Sequence, residues 1–499
     1  MKAFVEQSTA PLGVRSVPIL VVAAIFALGG GVARACAEDA DTAALQAEVL
    51  ALKTQLVAMQ HRLSDLETRL DKNEPPAAAP ISTVPIQPSA PPTEPPPLRQ
   101  NSTQPVLTAA EAQGLHSSVA PARQTFGDAE TGAARPAATA PPDNPELKGF
   151  WQIPGTQTLI KFGGFAKVNT TYDTAPSGSP DGFVTSQIPT SGGRYSTVNI
   201  DPYATRFNLD IRSPGLLGPL RIYFENDFYT GTGSAAFHLR QAYGQAGTTY
   251  AGFGYSAFTD PDALAETLDD QGPGSEALIR LPSIREILSL GHSITVSLSA
   301  EKPSTDVTLG PGQVAVQQGP DLVGAWRLEQ RWGHIQVAAL YRELGYNNGA
   351  TTHEAQGYGG NISGVVKLGG DYLVGGATSG QGISRYLNDL SGKGYDATIS
   401  PGGDLEPLGL LGGYVGVTHA WNTAWRSNVV VGDITLEHSA FLMPTAFRTS
   451  QYAAVNLIWA GSPSFYAGME GLYGRRQSQD SEIRDDLRLQ ISLRYNLVR

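Results

Sequence analysis

Seven arginines, Arg206, Arg212, Arg221, Arg240, Arg280, Arg327 and Arg331, stand where an extended chain would turn them to one face. A guanidinium is always charged, and its planar fork pairs with carboxylates two bonds at a time. A row of them along an aqueous passage would favour anions. The stretches that carry them alternate without a break. In "LRIYFENDFY" (220–229), Leu220, Ile222, Phe224, Asn226 and Phe228 fall on one side, with Arg221, Tyr223, Glu225, Asp227 and Tyr229 on the other. Just upstream, Phe207, Leu209 and Ile211 oppose Arg206, Asn208, Asp210 and Arg212. Some of these arginines would pair with carboxylates of their own face and stiffen the wall, Arg221 with Glu225 and Asp227 among them. Arg240, beside His238, has no acidic neighbour on its strand and is the better candidate to meet a solute. Against them stands "DPDALAETLDD", whose Asp260, Asp262, Glu266, Asp269 and Asp270 lie between two strands. Folded into the passage, it would act as a constriction, and its charge would set a field across the gap.

Other chemistry finds little support. The 8 histidines show no H-x-x-x-H or H-E-x-x-H spacing, so no metal site is expected. There is no G-x-S-x-G elbow, and no serine stands out near His419 or His438, which lie in expected strands. No cofactor and no enzymatic activity are expected. A net charge of -11 gives no support to nucleic-acid binding. From Lys148 onward there are 6 Lys and 19 Arg against 19 Asp and 12 Glu, a balance of 25 minus 31, or -6. A basic passage therefore depends on where the charges lie, not on their total.

The elements that must position these residues are strands. Charged residues make up only 16% of the chain, Gly is abundant at 56, and no apolar run beyond the N-terminus is long enough for a membrane helix. Strand-like runs lie near 157–173, 203–213, 218–229, 236–247, 248–256, 277–286, 292–301 and 321–332. Eight more lie near 333–345, 355–368, 369–385, 408–421, 423–438, 449–461, 463–476 and 484–497, sixteen in all. Tight turns such as "RWGH" and "AWNTA" alternate with longer connections, as in outer-membrane barrels. A soluble sandwich would bury the apolar face of these strands and wet the charged one; a barrel in lipid would do the reverse. The last run, "DLRLQISLRYNLVR", separates Leu487, Leu489, Ile491, Leu493, Tyr495 and Leu497 from Arg488, Gln490, Ser492, Arg494 and Asn496. Such an amphipathic final strand, together with an export signal, favours the barrel. Val498 and Arg499 stand where a terminal Phe would be usual.

Residues 1–37 read as that signal: Lys2 and Arg15 flank the start of an apolar core from Val17 to Leu28, and Ala35-Cys36-Ala37 offers a cleavage site. An uncleaved anchor and a lipidated Cys36 are the alternatives. Residues 38–72 hold a heptad of Leu45, Val49, Leu52, Leu56, Met59, Leu63, Leu66 and Leu70, the pattern of a coiled coil. Residues 73–148 are a Pro/Ala-rich linker that cannot build a core, and 149–499 form the barrel.

The order and spacing of "RQAYGQ", "FTDPDALAETLDD" and "GPG" within 203–285 resemble the DcaP-like family of trimeric outer-membrane porins, a likeness that thins toward the C-terminus. The resemblance implies a sixteen-stranded antiparallel transmembrane β-barrel and a homotrimer in outer-membrane lipid, with the N-terminal region in the periplasm. It also implies passive uptake of small anionic solutes such as dicarboxylates. Two other readings remain. One is a structural tether in which the barrel only anchors the coiled coil; the other is a nonselective or sugar channel, compatible with Gly- and Tyr-rich strands such as "SFYAGMEGLYG".

Overall fold

Alternation like that of 220–229 requires one face of the sheet to meet an apolar medium and the other a polar one. A computed structural model describes residues 149–497 apart from Leu217 and Pro463. The signal, coiled coil and linker expected from the sequence lie outside the described residues.

Sixteen antiparallel strands follow one another around a closed barrel. The first half comprises β1 (Leu159–Asp173), β2 (Arg206–Ser213), β3 (Leu220–Asp227), β4 (His238–Ala246), β5 (Thr249–Tyr255), β6 (Arg280–Leu290), β7 (Ile294–Glu301) and β8 (Asp321–Gln330). The second comprises β9 (Gly333–Asn347), β10 (Thr352–Leu368), β11 (Asp371–Gln381), β12 (Gly409–Ala420), β13 (Trp425–Leu436), β14 (Phe447–Ser462), β15 (Phe465–Ser478) and β16 (Ile483–Asn496). All sixteen expected runs are present, with ends displaced by no more than four residues. β16 closes on β1 in a ladder from Phe165↔Asn496 to Asp173↔Arg488, which removes the free edge of the sheet. Short segments, including 247–248, 331–332 and 369–370, close one rim; the opposite rim carries the long loops 174–196, 256–279, 302–320 and 382–408.

The faces are inverted relative to a soluble sheet. On β16, Leu487, Leu489, Ile491 and Leu493 are exposed on the outside, Leu489 at 64%, while Arg488, Gln490 and Ser492 are buried inside, Arg488 at 0%. Such an apolar exterior is stable only in lipid, where every backbone N–H and C=O must be paired within the sheet. On the short-turn rim, Trp425, Trp459, Phe465 and Tyr495 touch in sequence across β13–β16 at centroid distances of 6.3, 6.1 and 4.7 Å. With Trp332 and Trp421 in the turns of the same rim, they form an interfacial girdle.

The wall is uneven. β2 to β5 span only 7 to 9 residues, whereas β9, β10 and β14 span 15 to 17. The tall half is lined with inserted loop. Phe258 and Ile279 of loop 256–279, and Tyr386, Leu387 and Leu390 of loop 382–408, pack on inward Val323, Ala325, Ala338 and Leu340 of β8 and β9. Phe183, Ala263 and Ala265 pack in a second cluster with Val365, Val374, Val430, Tyr452 and Leu472. Alternation therefore fails where loop, not water, covers the inner face. Each Leu or Phe so buried contributes about 1.5–3 kcal/mol. The two loops meet where Asp389 N–H donates to the Gly274 carbonyl at 3.2 Å, and a side chain at Gly274 would collide with the Asp389 carboxylate.

A fully buried arginine ties these loops to the wall. Arg342 of β9 donates from Nε to Asp321 at 3.0 Å, from Nη1 to Asp396 at 2.8 Å and to the Gly382 carbonyl at 2.7 Å, and from Nη2 to the Ser304 carbonyl at 2.6 Å. The Tyr386 hydroxyl joins Asp321 and Glu301 at 3.0 and 3.1 Å. Removing one partner of such a pair leaves buried charge uncompensated. Arg342→Ala is expected to cost about 3–5 kcal/mol, and Arg331→Ala, in an exposed turn, under about 0.5 kcal/mol. The temperature at which the folded barrel loses its compact gel mobility reports both. Equal midpoints for the two variants would sink this assignment.

Candidate functional site: the arginine wall and the inserted loops

The low wall carries most of the arginines marked out by the sequence. On β2 and β3, Arg212 and Arg221 share one carboxylate, Asp210, at 3.1 and 2.8 Å. The Arg221 guanidinium also lies 5.1 Å from the centre of the Tyr223 ring. One layer nearer the long-loop rim, Arg206 reaches Glu225 at 3.4 Å and Asp227 at 3.3 Å. Arg240 reaches the same two acids at 3.1 and 2.7 Å, and His238 Nδ1 is 2.7 Å from Asp227. Arg280 donates to the Tyr255 hydroxyl at 2.7 Å with its guanidinium 4.3 Å from that ring's centre. Arg285 donates to the Tyr255 carbonyl at 2.6 Å and stacks over Tyr250. Six guanidinia on β2–β6 thus face three carboxylates, Asp210, Glu225 and Asp227, and aromatic faces hold several of them. Arg212, with 24% of its side chain exposed, is the most accessible of those on β2 and β3.

Two expectations about single arginines need correction. Arg240 lacks an acid on its own strand, but the neighbouring strand supplies two. The β3–β4 ladder shifts between Glu225↔Gln241 and Asn226↔Leu239, so Arg240 is the extra residue of a bulge. Both Arg240 and Gln241 consequently turn inward and are buried. Arg331 occupies the turn between β8 and β9 and is exposed, so it does not line the interior. Parity counting carries across neither a bulge nor a turn.

The acidic segment does fold into the barrel, but its carboxylates bind the wall behind it. Asp260 accepts from Arg327 at 3.1 Å and from Ser363 at 2.9 Å, and contacts His334 Nε2 at 2.8 Å. Asp262 pairs with Arg327 at 2.6 Å, and Glu266 pairs with Arg426 at 2.7 Å. Asp270 takes two bonds from Lys167 and one from Asn169. Asp269 accepts from the Phe183 and Gly272 amides, and burial pushes its carboxyl up from the usual range. The expected field between segment and arginines is therefore largely cancelled, and Arg327 is a loop anchor. Sequence reading also passed over Arg285, Arg342 and Arg426. Arg285 shares the inward parity of Leu281, Ser283 and Ile287, which was available as a signal; nothing periodic marks loops 174–196 and 382–408.

The family follows from comparison with known proteins. A family model described as the Porin subfamily matches residues 148–464, well over half of the chain. The chain is a porin of that subfamily. Among solved structures it is similar to the outer membrane channel DcaP of Acinetobacter baumannii, at TM-score 0.63 and 19% identity, covering 70% of this chain and 99% of that one. This agrees with the resemblance of residues 203–285. A Salmonella typhi OmpF superposes at TM-score 0.46 and 9% identity, covering 70% and 100% of the two chains. An anion-selective porin from Comamonas acidovorans superposes at 0.45 and 8%, covering 68% and 100%. No curated protein matches the sequence.

One loop contact of this porin is poised near neutral pH. In loop 302–320, Asp306 accepts from Gly394 N–H at 2.8 Å, and its own N–H donates to Asp396 at 3.1 Å. Burial, and then repulsion from Asp396, raises its carboxyl to about 7, with Arg385 opposing the shift. A carboxyl raised in the folded state supports the contact most at low pH, and that support is lost as pH rises from about 4 through 7. Closing events in single-channel current should accordingly become more frequent from pH 6 to 8. Asp306→Asn should flatten the dependence; an unchanged profile would remove Asp306 from it.

Proposed function

We propose that this porin passes small anionic solutes, dicarboxylates among them, by passive diffusion along the arginine wall. The observation that carries the reading is the ratio of six guanidinia to three carboxylates on the inner face of β2–β6. The excess positive charge sits on β2–β6, apart from the loop clusters packed on β8 to β15, and it attracts anions and repels cations. Arg212 and Arg221 are the entry contacts on the short-turn side because one carboxylate serves both. Arg206, Arg240 and Arg280 form the next layer, where a carboxylate passes between forks already oriented by Glu225, Asp227 and Tyr255. Residues 1–37 are removed on export, residues 38–72 form a periplasmic coiled coil, residues 73–148 tether it, and the barrels assemble as a homotrimer in outer-membrane lipid. The low wall and the adjoining β1, with Phe162, Phe207 and Ile222 exposed outside, suit contact between copies.

The test is the reversal potential of the purified porin in a planar bilayer under a potassium chloride gradient. Anion preference is expected, with succinate interrupting the current. The double variant Arg212→Glu, Arg221→Glu should lower the anion-to-cation permeability ratio at least threefold. Cation preference in the wild type, or an unchanged ratio in the variant, would contradict the proposed path.

A further inference from the structure

On the outside of the barrel, β13 to β16 line an open, shallow trough of about 750 Å³. Register explains it. The row Val455↔Gly471↔Leu489 crosses β14–β16, and the row Ser427↔Leu457↔Met469↔Ile491 lies one step nearer the short-turn rim. Glycine in the first row leaves a gap in an otherwise filled apolar surface. A Cβ built at Gly471 meets only Val455 Cγ1, at 4.0 Å.

The trough is almost wholly apolar, and the few polar groups at or beside it stand at the end toward that rim. Trp421 Nε1 donates to Ser427 Oγ at 2.9 Å, and both residues line the trough. His419, paired across the sheet with Ser427, is 2.8 Å from Asp371 and meets the Trp421 ring edge-on at 4.4 Å. Asn422 accepts the amides of Ala424 and Trp425 on its side-chain oxygen, which leaves its NH2 group as a donor. These polar groups thus lie at the level of the aromatic girdle, where lipid headgroups meet the barrel, and the apolar floor runs into the hydrocarbon band.

We propose that this trough holds one glycerophospholipid of the leaflet on the short-turn side. Its acyl chain lies over Gly471, and its headgroup meets Asn422, Ser427 and His419. The proposal rests on the reading that the outer face of the barrel lies in lipid, but not on anion selectivity.

Native mass spectrometry of the full-length porin, extracted from its own membranes in mild detergent, tests it. One retained phospholipid per chain is expected. Gly471→Phe, which fills the floor, should reduce retention at least fivefold while conductance and heat-resistant gel mobility stay unchanged. Val337→Phe, at an exposed outer position of β9, should retain lipid as the wild type does. No retained lipid in the wild type, or equal retention in both variants, would overturn the proposal. So would a Gly471→Phe protein that separates into single chains without having carried lipid, because the trough would then be a contact between copies.

Discussion

Carboxylates drawn into a barrel must meet cations or hydrogen-bond donors there, and this requirement fixes where the inserted loops lie. Loops 256–279 and 382–408 bring Asp260, Asp262, Glu266, Asp270 and Asp396 inside, and Arg327, Arg426, Lys167 and Arg342 of the wall receive them. An unpaired buried charge would be very costly, so the loops have little choice of position. Once they are pinned, their apolar residues cover β8 and β9, and that half of the interior becomes packed core. The remaining part, the low wall of β2–β6, lies outside those clusters and carries the arginine excess, with Arg212 the most exposed guanidinium of β2 and β3. Position of loops, asymmetry of the lumen and location of the arginine excess are then one consequence.

The exterior obeys a different constraint. Closure between β1 and β16 satisfies the backbone within the sheet, which lets a surface of Leu, Val and Ile face hydrocarbon. The same alternation that would bury Leu489 in a soluble sandwich exposes it here, and Arg488 is buried in its place. Where a small residue interrupts that surface, as at Gly471, the barrel offers a lipid a place to stay. Inner and outer faces thus acquire separate sites from one repeating pattern.

How much of this the chain revealed depended on the range of the signal. Strand positions follow local alternation of period two, which is why runs such as 220–229 and 484–497 could be located to within a few residues. The inward face of β16 was equally legible from Arg488, Gln490 and Ser492. Partners across strands were not: the acids that hold Arg240 lie 13 and 15 positions away and become neighbours through a bulge. Asp260 meets Arg327 at a separation of 67. Nor could alternation announce that Ala338 and Leu340 face inward, because it assumes water on the inner face. Ser427 became a neighbour of His419 only once β12 and β13 were in register.

The central claim, that solute passes along the low arginine wall and not beneath the inserted loops, can be measured directly. Cys36 is the only cysteine in the chain and falls in the segment proposed to be removed on export, so single cysteines can be introduced into the exported porin directly. A negatively charged thiol reagent is then added during bilayer recording. Arg212→Cys on the low wall should react within seconds and cut the current, whereas Leu340→Cys beneath the loops should leave it unchanged. Rapid block at position 340 with none at 212 would place the path on the other side of the barrel and contradict the account.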